Sequence, residues 1–229
     1  YILQEQVFVN SGDTLTIMPG AIVKGAAGSG FQETSFTVGN VTQQTIIYST
    51  YPGSLIISMG AVLLAEGTPD CAIIFTHEAD LLDGTVGVDV KGQWGGLIIC
   101  GAGQTNTLYF DNPSVFPSQL TGTGTGTDLA EGIIDLTGNF RHLYGGNTDP
   151  TSSSGILRYV SLRHGSTSLG YYQNIATNES NNGNETNLLQ LCAVGSGTQI
   201  DHIELVSSAD DGLQVMGGTV DLKYIASAF

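Results

Sequence analysis

The residues best placed to do chemistry are acidic. Asp210-Asp211-Gly212 sets two carboxylates side by side next to a glycine, and adjacent carboxylates at a turn can bind a hard cation through oxygen, calcium being the cation such a pair would take. The same three residues also read as a solvated turn, with Asp capping local amides and Gly supplying a positive φ. Glu78, Asp80 and Asp83 form a second, looser acidic group. Asn147-Thr148-Asp149, Arg163-His164-Gly165 and the Asp210-Asp211 pair together suggest acid–base cleavage of a polysaccharide. Their order along the chain differs from a polygalacturonase-like set, in which the Asp pair would precede the His-Gly.

Charge narrows the choice. The chain of 229 residues carries 6 basic and 21 acidic side chains, a formal net charge of −15. Such a surface offers no basic patch to nucleic acid or anionic lipid and repels uronate substrates. The composition therefore leans away from an enzyme and excludes nucleic acid as a partner. Trp94 could serve as a stacking platform for sugar, or pack beside a turn. Gly92-Gln93-Trp94-Gly95-Gly96 and Gly217-Gly218 lack the helix and Lys-Ser/Thr pair of a phosphate cradle and read as turns. Asn40, Asn178 and Asn184 head N-x-S/T sequons, and Thr121, Thr123, Thr125 and Thr127 alternate with glycine; both sets are candidate glycosylation sites in surface loops. Cys71, Cys100 and Cys192 form no C-x-x-C pair and read as small core residues. No apolar run approaches the roughly 20 residues a bilayer span needs, so membrane insertion is not expected.

The elements that would position these groups are short strands. Thirty-two glycines mark frequent turns, β-branched runs are bounded by Gly, Asn, Asp and Pro, and helical periodicity is nearly absent. The runs repeat. Leu157–Leu162 matches Ile200–Leu205 and then Leu222–Ile225; Leu189–Cys192 matches Leu213–Met216; Thr14–Ile17 with its Gly-Ala turn matches Ser54–Ile57. A unit of roughly 20 to 24 residues holding two or three strands is one winding of a parallel β-helix, each strand pairing with its counterpart one winding away. The fold class is thus all-β, a right-handed parallel β-helix in one domain over 1–229, with loop insertions at about 26–52, 101–155 and 166–187. Alternation places Val160, Leu162, Ile203, Leu205 and Ile225 on an inner aliphatic ladder and Tyr159, His202 and Tyr224 on the outer face.

The succession TLTIMPGAIVKG, AEGTPDCAIIFTHEAD, GQWGGLIICG, EGI, YGGN, GILRYVSLRHG, AVGSGTQIDHIELVSSADDGLQVMGGTV and LKYIASAF resembles a family of secreted bacterial right-handed parallel β-helix proteins, mostly uncharacterised. The likeness spans nearly the whole chain in order. It implies an extracellular or cell-surface address and a longer precursor, and it brings no catalytic residues. A stacked coil without caps exposes strand edges that pair with other molecules. The expected function is an extracellular structural or adhesive protein that self-associates into a homo-oligomer or filament; the competing class is a carbohydrate-active enzyme or carbohydrate-binding module on the same scaffold.

Overall fold

The computed structural model describes residues 1–30, 32–38, 41–47, 50–105, 126–135, 137–146, 148–167, 170–174, 179–181 and 185–228, with backbone alone between 31 and 49 and between 168 and 184. In chain order β1 (Ile2–Leu3), β2 (Gln6–Val9), β3 (Thr14–Ile17) and β4 (Ile22–Gly25) begin the coil, and β5 (Gln32–Val38) and β6 (Val41–Ile47) leave it as a hairpin. The next winding holds β7 (Ser54–Ile57), β8 (Val62–Glu66) and β9 (Ile73–His77), followed by β10 (Leu97–Cys100). After β11 (Thr127–Leu129) and β12 (Leu143–Gly145) the coil resumes with β13 (Gly155–Arg163), then departs through β14 (Gly170–Asn174) and β15 (Glu179–Asn181). It finishes as β16 (Leu189–Cys192), β17 (Gln199–Val206), β18 (Leu213–Met216) and β19 (Asp221–Ala228).

The coil strands pair in parallel, each with its counterpart one winding away, as a right-handed parallel β-helix. A five-stranded sheet runs β18-β16-β10-β7-β2, and an eight-stranded sheet joins β1, β3, β4, β8, β9, β13, β17 and β19. The larger sheet folds into two panels: β8 pairs with Gly155–Arg158 of β13, whereas β9 pairs with Val160–Leu162. The bend falls on Tyr159, His202 and Tyr224, whose φ values of 46°, 55° and 54° lie in the left-handed region. That conformation is uncommon for residues other than glycine, and here it turns the chain with a single residue.

The expected registers hold across β13, β17 and β19 and from β16 to β18. Leu157 pairs with Ile200, Val160 with Ile203 and Ile203 with Ile225, while Cys192 pairs with Met216. Val160, Leu162, Ile203 and Leu205 are buried in one core, with Ile225 packed against it. One match was misassigned: Thr14–Ile17 does not lie on Ser54–Ile57. Thr14 pairs with Val62, and Ser54 pairs with Gln6. Each winding contains several four-residue apolar strands followed by a Gly-bearing turn, so sequence similarity alone aligned a strand with the wrong side of its neighbour.

Two further differences concern what surrounds the coil. The three central strands of the five-stranded sheet, β7, β10 and β16, are buried on both faces, Ile56 and Ile98 included, because Ala130, Ile133 and Tyr144 from the second insertion form an outer core against them. Asp135 and Arg141 brace that insertion through a bidentate pair of 3.0 and 2.9 Å, and the guanidinium lies 3.8 Å over the Phe8 ring. Insertions read as loops also carry strands, and β6 of the first pairs antiparallel with β14 of the third, giving a four-stranded sheet β15-β14-β6-β5 beside the helix.

Candidate functional site

Asp210 and Asp211 sit in the turn from β17 to β18. Their amides are held by Ser166 Oγ at 3.0 Å and Asn187 Oδ1 at 3.2 Å, and Ser208 Oγ donates to the Asp211 carbonyl at 2.9 Å. Both residues are exposed. Among the described residues no group of three or more His, Cys, Asp or Glu side chains converges on a common point. Of the other acidic candidates, Glu78 is exposed and the two aspartates serve as caps. Asp80 is buried and accepts Thr76 Oγ1 at 2.7 Å and the Leu82 amide at 2.8 Å; burial opposes its ionisation, yet these hydrogen bonds keep it below the usual carboxylate range. Asp83 Oδ1 accepts the amide and hydroxyl of Thr85.

The polysaccharide-cleaving constellation is dispersed. Asp149 closes a turn on Thr151, accepting its amide at 2.9 Å, and lies between β12 and β13, on a different corner of the coil from Asp210. Arg163 pairs with Glu204 at 3.1 Å on the outer face. His164, the next residue, is buried, its Nδ1 2.7 Å from the Val90 carbonyl and its ring edge-on to His77 at 5.6 Å. The single-residue bend that follows β13 accounts for this: His164 has φ 61°, which rotates it out of the strand's alternation. Trp94 is fully buried against Phe75 rather than open to sugar. Cys100 and Cys192 are buried as expected, but Cys71 is exposed in the turn before β9. Of the glycosylation candidates, Asn40, Asn178, Asn184, Thr121, Thr123 and Thr125 lie outside the described residues; Thr127 opens β11, half-buried, paired with Gly145.

The structure does assemble a surface site at the bend of the large sheet. In successive windings Glu66, Arg158, Asp201 and Lys223 stand in register, a column of alternating charge. Arg158 Nε donates to both Asp201 oxygens at 3.1 Å, and His202 Nδ1 approaches Asp201 Oδ1 at 2.6 Å. Burial works against the Asp201 carboxylate, but the hydrogen bonds from Arg158 and His202 hold it low. One residue along, Tyr159, His202 and Tyr224 stack at 4.2 and 4.5 Å between centroids. A cavity of about 270 Å³ opens beside the column, lined among others by Arg158, Gln199, Asp201, Asp221 and Lys223. The same repeats that align Tyr159, His202 and Tyr224 in the sequence also align Arg158, Asp201 and Lys223 one position earlier.

A pectate-lyase-like beta helix domain model matches residues 1–228. The chain belongs to this pectate-lyase-like β-helix family. Comparison with curated proteins and with solved structures returns no match for either. No helix among the described residues of the β-helix domain is long and apolar enough to cross a membrane.

Two of the three buried histidines of this β-helix domain, His77 and His142, make its stability depend on acid. His77 is held below its ordinary value by burial, then by His164 and Lys24, with Asp80 acting in the opposite sense; burial lowers His142 as well. A histidine with a depressed native pKa stabilises the fold fully above its unfolded value near 6.5, and that contribution is lost as pH falls, because the unfolded chain binds more protons. The melting temperature should therefore fall between pH 7 and pH 5, before the carboxylates titrate. His77→Gln should flatten that slope; an unchanged slope in both His77→Gln and His142→Gln would refute the assignment.

Proposed function

We propose that this β-helix is an extracellular structural or adhesive protein that self-associates end to end. The reading rests on the two ends of the coil. At one end Leu213 and Val215 of β18 and Leu222 and Ile225 of β19 continue the inner ladder, and Val215 remains 48% exposed. At the other end the columns of Leu213 and Leu222 finish on Val7 of β2 and Ile17 of β3, with Val7 40% exposed. Among the described residues neither β18 nor β19 has a strand on its outer side. A second copy set on in register would place Val7 over Leu213 and Ile17 over Leu222, aliphatic upon aliphatic as in every winding between.

Magnitudes favour a reversible assembly. Strands of 4 and 8 residues offer on the order of a dozen edge hydrogen bonds at about 1 kcal/mol net. Association costs an estimated 4–15 kcal/mol, so the contact is concentration-dependent unless apolar cover adds to it. Pectate-lyase-like β-helix domains are often extracellular, which suits this role, as do polar, sequon-bearing insertions.

Sedimentation and negative-stain electron microscopy across a concentration series provide the test. Wild type should grow into linear particles, and Val215→Lys should stay monomeric, since a buried lysine at the junction lacks a counter-charge. Val88→Lys, at an exposed site in the turn after β9, should assemble normally. A wild type that remains monomeric at every soluble concentration would overturn the proposal.

One observation favours the second reading, a carbohydrate-binding or carbohydrate-active module: the polar cavity beside Arg158 and Lys223, with the tyrosine stack adjoining it. Binding across a polysaccharide panel, reduced by Arg158→Ala, would support the module. Turnover lost in Asp210→Asn and Asp211→Asn would support the enzyme.

A further inference from the structure

Beneath the second insertion, the outer face of the five-stranded sheet holds a column of sulfur. Cys100 of β10 pairs in register with Cys192 of β16, which pairs in turn with Met216 of β18. Both cysteines are free and fully buried, covered by Ala130, Ile133 and Tyr144. Tyr144 Oη lies 3.6 Å from Met216 Sδ. Cys100 Sγ lies 3.6 Å from the His142 carbonyl. In-register neighbours on adjacent strands sit about 4.8 Å apart, inside the roughly 4.4–6.8 Å spanned by disulfide-linked Cα atoms.

We propose that Cys100 and Cys192 form an oxidisable pair that closes to a disulfide when the protein meets a small-molecule disulfide, covalently stapling two successive windings. The residues between them include the whole of the second and third insertions, so the bond would tie the coil together on either side of both. Thiol–disulfide exchange accomplishes the step in balance. One cysteine, as thiolate, attacks the small disulfide and expels one small thiol; the other cysteine, giving up its proton, attacks the resulting mixed disulfide and expels the second. The two protein sulfurs lose one electron each, and the small disulfide is reduced to two thiols.

The geometry also fixes which cysteine reacts differently. Cys71 is exposed on a separate turn and has no cysteine partner among the described residues, so it can reach only the mixed-disulfide stage within one molecule. Burial pushes the Cys192 thiol well up, which slows the buried pair relative to Cys71 at neutral pH. Entry requires the β11–β12 cover to open, so mild denaturant should accelerate the reaction while Cys71 is little affected.

The test is incubation of the native protein with oxidised glutathione, with and without mild denaturant, followed by alkylation in full denaturant and peptide mass spectrometry. The expected product is a linked Cys100–Cys192 peptide pair, with Cys71 glutathionylated or alkylated. The linked form should melt roughly 5 °C or more above the reduced form, and the gain should disappear on reduction and in Cys192→Ser. Cys71→Ala should leave both link and gain intact. Recovery of Cys100 and Cys192 as separately alkylated peptides, under denaturant conditions in which Cys71 is fully converted, would overturn the proposal. So would a predominant link through Cys71.

Discussion

Trp94→Ala should lower unfolding stability by about 3–5 kcal/mol, a large share of the roughly 5–15 kcal/mol typical of a domain. The indole is fully buried in the main core. Its ring lies nearly parallel to Phe75, 6.2 Å between centroids, and its Nε1 donates to the Arg163 carbonyl at 2.7 Å. Gly25 and Gly165 flank it so closely that a Cβ on either would run into the indole, so little can move in to fill the space an alanine would leave. The lost contacts span three windings, since β4, β9 and β13 all border the ring. Trp94→Phe separates packing from hydrogen bonding. It keeps most of the apolar volume and leaves the Arg163 carbonyl without its donor, a change of about 1–3 kcal/mol. Urea denaturation followed by circular dichroism measures both variants; a loss under about 1 kcal/mol for the alanine variant would contradict this account.

Gly155→Ala should be more damaging still, with little soluble folded protein recovered. Gly155 begins β13 at φ 108°, a conformation that side chains rarely adopt, and a Cβ there would overlap the Leu63 carbonyl of the preceding winding. The register Gly155↔Leu63 and the Leu63 amide bond to Ser154 leave the two strands no room to part without breaking the ladder. Gly138→Ala isolates the conformational component, because Gly138 has φ 72° with nothing near its would-be Cβ. That control should cost only about 1–2 kcal/mol. The yield of soluble folded protein compares the two variants, the difference reading the collision together with the greater strain at φ 108°, and equal yields would contradict the requirement for glycine between windings.

Both predictions concern residues whose importance was only half legible. Trp94 read correctly as packing beside a turn, but nothing in its neighbours announced Phe75, nineteen positions earlier, as the ring it lies on. Gly155 looked like the end of a polar insertion. The inner ladder of Val160, Ile203 and Ile225 was plain because β13, β17 and β19 share the same single-residue bend and the same alternation on either side of it, so the repeat survives in the sequence even across the third insertion. Between Gln6 and Ser54 no such bend marks the strands, and similarity among four-residue apolar runs alone chose the wrong partner. The candidate sites divide in the same way. The turn of Asp210 and Asp211 was visible as a local acidic motif, whereas the charged column at the bend and the sulfur pair each needed knowledge of which strand lies next to which.

The sequence by itself determined the coil: alternating aliphatic residues in short strands, glycines at the turns, and a spacing of about two dozen residues can bury their apolar faces only by stacking. Those are local and periodic properties, and periodicity is carried in one dimension. Tertiary structure alone decided that His164 turns inward against His77, that the second insertion covers the five-stranded sheet, and that Cys100 meets Cys192. Each of these depends on the left-handed bend of individual residues or on chain returning from an insertion. Such contacts are set by backbone geometry across windings, which no pattern of neighbouring residues encodes.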